Sequence, residues 1–368
     1  MLWPILLALP ALSLAAEPAP LPELGMRADQ LIAYNGYPVE YHNVTTPDGY
    51  ILTIVRIPHG RNIGNSKKPR RPVFLQHGLD ASCMNWITSL PDLGLAYILA
   101  DAGYDVFLGN VRGNSYSPVN GQFKKLFYVG HSQGTLIAFV KFSSDLQWAQ
   151  DHIEHFFALA PVFTVSHITS ALKLLAPVST EIYALYKATG GVGSDQSNLL
   201  GKYIKPICNN DWISKYICKP VTAYIMGPEK DGNLNKTRAP LYFERGQGGT
   251  SMKNLLHWAQ MINSGKCQDF KYDSAWDNYK KYKCLCLSES CSHCPPSFDA
   301  SQLRTPITLF WGSIDALADP DDVIQLLTHI HDKTEYYLPD YSHIDFLWEI
   351  NVVNDIYSKI LDKLATYE

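Results

Sequence analysis

The chain has 368 residues, 46% of them hydrophobic and 12% aromatic, which suffices for a large buried core and excludes a disordered chain. A formal net charge of −4, without a long run of Lys or Arg, excludes wholesale electrostatic binding to nucleic acid. The 23 Pro and 24 Gly follow no period, which excludes collagen-like and repeat architectures.

The opening stretch MLWPILLALPALSLAA (1–16) is apolar and ends in small residues, although no Lys or Arg precedes the apolar run. It reads as a secretory signal peptide rather than a buried helix. No other segment approaches the roughly 20 apolar residues that a membrane-spanning helix needs. Secretion makes the eight Cys candidates for disulfides. It also makes the two N-x-T sequons, at Asn43 and Asn235, candidates for glycosylation.

From Tyr41 to Pro58, NVTT and YILTIVRI around Pro47-Asp48-Gly49 predict a hairpin. A polar loop follows over 59–71. Short apolar runs at 72–78, 104–110, 126–132 and 155–161 then alternate with helix-length segments such as 93–103 and 135–145. Buried strands alternating with helices predict a parallel sheet covered on both faces. The rhythm stops after Pro161, where a Tyr-, Trp-, Asn- and Lys-rich stretch begins, and resumes with strand 306–315, helix 321–333, strand 334–339 and a closing helix. The predicted fold is α/β: a mostly parallel core over 17–161 and 298–368, interrupted by a mainly helical cap over 162–297.

Gly130-His131-Ser132-Gln133-Gly134 is a G-x-S-x-G between a strand-like LFYV and a helical TLIAFVKF. This context predicts a nucleophile elbow, in which a tight strand-to-helix turn lifts the Ser132 hydroxyl into the open. A serine hydroxyl needs a base, and the base needs an orienting carboxylate, in the chain order Ser, acid, His. Asp315 ends the strand-like run ITLFWGSID at the carboxyl edge of the predicted sheet. Asp319 is the second choice, because it and Asp321 and Asp322 fall where a helix begins. His329 and His331 lie within the helical run, whereas His343 follows a strand on a loop able to return to the sheet edge. The predicted catalytic set is therefore Ser132, Asp315 and His343. The backbone N–H of Gln133 and of Leu79, which follows Gly78, are the predicted oxyanion donors. His77 is read as a brace for the loop containing Leu79.

LQHGL (75–79), ILADAGYDVFLGNVRGN (98–114), YVGHSQGT (128–135), FFALAPV (156–162), LLHWAQ (255–260), SIDALADPDDV (313–323) and HIDFLW (343–348) together resemble the acid lipase family. That family includes gastric and lysosomal acid lipases with insect and nematode relatives. The resemblance implies an α/β-hydrolase fold and a secreted or lysosomal serine esterase that cleaves triacylglycerols or steryl esters at a lipid interface. No metal or organic cofactor is implied. It implies the same Ser132, Asp315 and His343 set, and the same donors at Leu79 and Gln133. It further implies a cap disulfide between Cys208 and Cys218.

Two departures from the family stand out. Members carry a long helical segment between the RGN loop and the nucleophile strand, whereas only residues 111–125 connect them here. A parallel crossover needs about a dozen residues or more. This one makes the span without a covering helix, so apolar surface is expected beside the nucleophile strand. The alternative function is then a catalytically impaired, lipase-like lipid binder or isoform. The second departure is KCLCLSESCSHCPP (283–296). Cys284, Cys286, Cys291, His293 and Cys294 lack the paired spacing of common zinc sites, and secretion favours oxidation, so disulfides are expected over metal. The partners of Cys83 and Cys267 are open.

Overall fold

A computed structural model describes residues 21–46, 51–62, 69–111, 125–177, 225–228, 232–235, 237–246, 248–284 and 294–367, with the single positions 181, 184 and 230. The expectations for residues 1–16, the Pro47-Asp48-Gly49 turn, the 112–124 connection, Cys208, Cys218, Cys286, Cys291 and His293 concern residues outside this set.

Among the described residues, α1 (Ala28–Tyr34) leads into the antiparallel pair β1 (Glu40–Thr45) and β2 (Ile51–Ile57). Then come β3 (Pro72–Gln76), α2 (Leu95–Asp101), β4 (Asp105–Gly109), β5 (Leu126–His131), α3 (Gln133–Ser144), α4 (Leu146–His152) and β6 (Ile153–Leu159). The chain after β6 holds α5 (Ala239–Arg245), α6 (Met252–Ser264) and α7 (Ala275–Tyr282). It returns through β7 (Ile307–Gly312), α8 (Pro320–His329), β8 (Lys333–Leu338), α9 (Asp345–Trp348) and α10 (Ser358–Ala365).

The eight strands form one sheet in the order β1-β2-β4-β3-β5-β6-β7-β8. β2 pairs antiparallel with β4, and every pairing from β4–β3 through to β7–β8 is parallel. Parallel strands are covered on both faces and so carry continuous apolar runs. Phe156, Phe157, Ala158 and Leu159 of β6 accordingly have no exposed surface. β6 and β7 are neighbours in the sheet although 147 residues separate Leu159 from Ile307 in register terms of chain order alone, so the intervening chain leaves the sheet and comes back beside its point of departure.

Among the described residues, the apolar side chains of the nucleophile strand itself are buried. Phe127 is 1% and Tyr128 8% exposed. Phe127 packs on Tyr104 and Tyr367, and Tyr128 on Phe74, Phe142 and Phe156. Phe74 and Phe156 flank Tyr128 in the same row of the sheet, with Phe142 of α3 against it, while Tyr104 and Tyr367 pack on Phe127.

Cys284 and Cys294 form a disulfide, while Cys83 and Cys267 are buried free thiols. No group of His, Cys, Asp or Glu able to hold a metal occurs among the described residues. No helix among them is long and apolar enough to cross a membrane.

Candidate active site

Ser132 stands between β5 and α3 with φ 55° and ψ −120°, a conformation that side chains rarely adopt and that costs of order 1–3 kcal/mol. The surrounding glycines make that bend possible. A Cβ at Gly130 would lie 2.8 Å from the Gly134 carbonyl carbon, and one at Gly134 would collide with the Gln76 carbonyl oxygen. Neighbouring hydrogen bonds hold the turn. The Ser132 N–H donates to the Leu159 carbonyl at 3.0 Å, and Thr135 Oγ1 donates to the Ser132 carbonyl at 2.6 Å.

His343 Nε2 lies 2.7 Å from Ser132 Oγ, and His343 Nδ1 lies 2.9 Å from both carboxylate oxygens of Asp315. All three residues are at most 3% exposed. Asp315 Oδ1 also accepts the N–H groups of Leu317 and Ala318, at 2.9 and 2.8 Å. Those donors fix the plane of the carboxylate toward the imidazole. The Ser342 N–H and hydroxyl both donate to Asp345, which fixes the chain entering His343.

Asp319 is engaged elsewhere. It caps α8 by accepting the Asp321 N–H and also accepts the Thr169 hydroxyl. His329 closes the same helix.

The loop containing Leu79 reaches Ser132 directly. A Cβ at Gly78 would stand 3.0 Å from Ser132 Cβ and 3.4 Å from its hydroxyl. Gly78 therefore serves close approach. The left-handed residue is Asp80, at φ 56°. His77 braces this loop: its Nδ1 donates to the Gly78 carbonyl at 2.8 Å, and Nε2 accepts the Val111 N–H at 3.2 Å. Burial pushes the His77 imidazole down to about 4, so it is neutral at ordinary pH.

Residues 28–90 match the family described as a partial alpha/beta-hydrolase lipase region. The chain is 36% identical to gastric triacylglycerol lipase of Bos taurus, over 94% of this chain and 92% of that one. It is 32% identical to the lysosomal acid lipase/cholesteryl ester hydrolase of Homo sapiens, again over 94% and 92%. The chain belongs to the acid lipase family. In fold, the family member also superposes on the crystal structure of a presumed lipase from Acinetobacter baumannii, with a TM-score of 0.50 and 14% identity over 92% of this chain and 96% of the other. The alignment with the bovine lipase runs over 382 positions while covering only 94% of the 368 residues here, so it includes positions at which this acid lipase family member has no residue.

Three contacts around the site were not legible in the sequence. His131, just before Ser132, donates from Nε2 to the His343 carbonyl at 2.8 Å. Met226 accepts the His343 N–H at 3.1 Å and the Ala316 N–H at 3.4 Å, so one carbonyl ties the loops of Asp315 and His343 together. Its neighbour Gly227 has φ 102°, and a Cβ there would collide with the Ile314 carbonyl. The third contact is a paired amide between Gln133 and Asn254. The only local signal for any of these was Gly227, and a single glycine does not say what it approaches.

Proposed function

We propose that this chain is a secreted or lysosomal serine lipase that hydrolyses triacylglycerol or steryl esters at a lipid interface through an acyl-enzyme. The observation that carries the reading is the hydrogen-bonded line from Ser132 Oγ through His343 to Asp315, at 2.7 and 2.9 Å, set on a strained strand-to-helix bend. The names of the bovine and human relatives supply the substrate class.

In this mechanism Ser132 Oγ attacks the ester carbonyl as His343 Nε2 takes its proton. Asp315 holds the imidazole with Nδ1–H facing the carboxylate and stabilises the imidazolium that forms. The N–H groups of Leu79 and Gln133 receive the developing oxyanion. His343 then protonates the leaving alcohol, and a water activated by the same imidazole releases the fatty acid and regenerates Ser132.

The same reading divides the chain into a signal peptide at 1–16, a hydrolase core at 17–161 and 298–368, and a cap at 162–297 that shapes access to Ser132. It places glycans on Asn43, which is exposed on β1, and on Asn235, and a disulfide between Cys208 and Cys218.

The test is cleavage of an emulsified long-chain ester together with labelling by a fluorophosphonate. Wild type should do both, and Ser132→Ala neither. A folded wild type that binds lipid but neither labels nor cleaves supports the impaired lipid binder instead.

A further inference from the structure

Two separate segments carry the proposed oxyanion donors: the loop of Leu79 and the start of α3 at Gln133. One short piece of chain touches both. The Gly248 N–H donates to the Asp80 carbonyl at 2.6 Å, and a Cβ at Gly248 would collide with the Ala81 carbonyl. A little further on, Asn254 meets Gln133 in a reciprocal amide pair. Gln133 Nε2 donates to Asn254 Oδ1 at 3.0 Å, and Asn254 Nδ2 donates to Gln133 Oε1 at 3.0 Å. The second Nδ2 hydrogen goes to Thr250 Oγ1 at 2.8 Å, so both amide protons of Asn254 are used. Asn254 itself is fixed in the first turn of α6, where its N–H donates to the capping hydroxyl of Ser251 at 3.1 Å.

An oxyanion hole works because its donors are in place before charge develops. The two segments already touch where Gly78 meets Ser132, and a piece of chain bonded to both adds a second constraint on the donors' spacing. We propose that Gly248–Asn254 is a strap that fixes the oxyanion hole, with Asn254 as the positioning residue that holds Gln133. This rests on the serine hydrolase reading above. Asn254 touches no reacting atom. It holds the Gln133 carboxamide and steadies the first turn of α3, where the donor N–H is located.

The chemistry of the pair supplies a specific test. In Asn254→Asp, the protonated carboxyl keeps one donor and one acceptor toward Gln133, as the amide does. The ionised carboxylate loses the donor and turns an acceptor toward Gln133 Oε1. Relative to wild type at each pH, kcat of Asn254→Asp should approach unity at about pH 3, stand near one half at about pH 4 and be reduced about tenfold at about pH 7, with KM little changed. Re-acidifying the same sample should restore the activity, which separates a lost contact from unfolding. Asn254→Leu should lose about tenfold in kcat at every pH while Ser132 still labels with a fluorophosphonate.

The strap is overturned if wild type labels and cleaves while the kcat ratio for Asn254→Asp stays flat with pH, if activity does not return on re-acidification, or if only KM changes. A wild type that neither labels nor cleaves overturns the hydrolase reading, and the strap with it.

Discussion

His131 Nε2 donates to the backbone carbonyl of His343 across 2.8 Å. A carbonyl only accepts, so the proton of His131 is on Nε2. The residue that precedes the proposed nucleophile thereby holds the loop of its proposed base, and the two rings lie 5.0 Å apart. Burial, reinforced by the neighbouring His343, pushes the His131 imidazole down to about 3.

A depressed imidazole makes stability depend on pH. As pH falls below 6.5, the unfolded chain takes up a proton at His131 that the folded chain refuses. This residue's contribution is complete above that value and is lost as pH drops toward about 3, at about 1.4 kcal/mol per pH unit. His131→Gln presents an N–H donor at a similar reach and does not titrate. The unfolding free energy from denaturant titrations should change with pH less steeply than in wild type, by about half a proton at pH 6.5 and nearly one at pH 5. Equal slopes would mean that His131 is charged in the folded protein.

Asp315 and Asp319 are four residues apart, and only Asp315 faces His343. Asp315→Asn should retain the fold and lose about 10⁴-fold in kcat, because the amide favours the wrong imidazole tautomer. Asp319→Asn should cost at most about 1 kcal/mol of stability, since Asn also caps helices well, and leave kcat within a few-fold of wild type. Ester hydrolysis by the two purified variants decides the matter. Comparable losses in both would undo the assignment of the acid.

Much of this arrangement was legible because it depends on local pattern. The parallel strands announced themselves as apolar runs, and Ser132 as the centre of a glycine-flanked strand-to-helix junction. Asp315 and His343 followed from strand ends and chain order, and the acid lipase resemblance reinforced them. What was not legible depends on contacts between distant segments. Asn254 meets Gln133 across 121 positions, and His131 meets His343 across 212. Neither asparagine nor histidine carries a mark of its partner. The packing around β5 was hidden for the same reason: Phe74, Phe142, Phe156 and Tyr367 come from four separate parts of the chain.

Gly134 lies where α3 presses on β3, against the Gln76 carbonyl. The obstacle is backbone, so it cannot rotate away. Gly134→Ala should lower stability by about 1–3 kcal/mol, the usual cost of overpacking. Activity should fall further than stability, because relief of the clash moves the start of α3 and with it Ser132 and the Gln133 N–H. Thermal unfolding and kcat measured on the same preparation separate the two effects. Wild-type values for both would show that the sheet and helix can part without consequence.

Arg238 and Glu23 form an ion pair in which the residues are only 5% and 6% exposed. Arg238 also donates to the Thr88 carbonyl at 2.7 Å, so one guanidinium joins the N-terminal segment, the loop after β3 and the start of α5. Both charges are already desolvated, so removing one leaves the other buried without its counterion. Glu23→Ala should therefore cost about 3–5 kcal/mol. Replacing the pair together, as in Glu23→Leu with Arg238→Met, should cost less than the single change, because no orphan charge remains. Urea unfolding midpoints of the two proteins test this ordering. A double variant less stable than Glu23→Ala would show that the pair contributes more by its hydrogen bonds than it loses by leaving water.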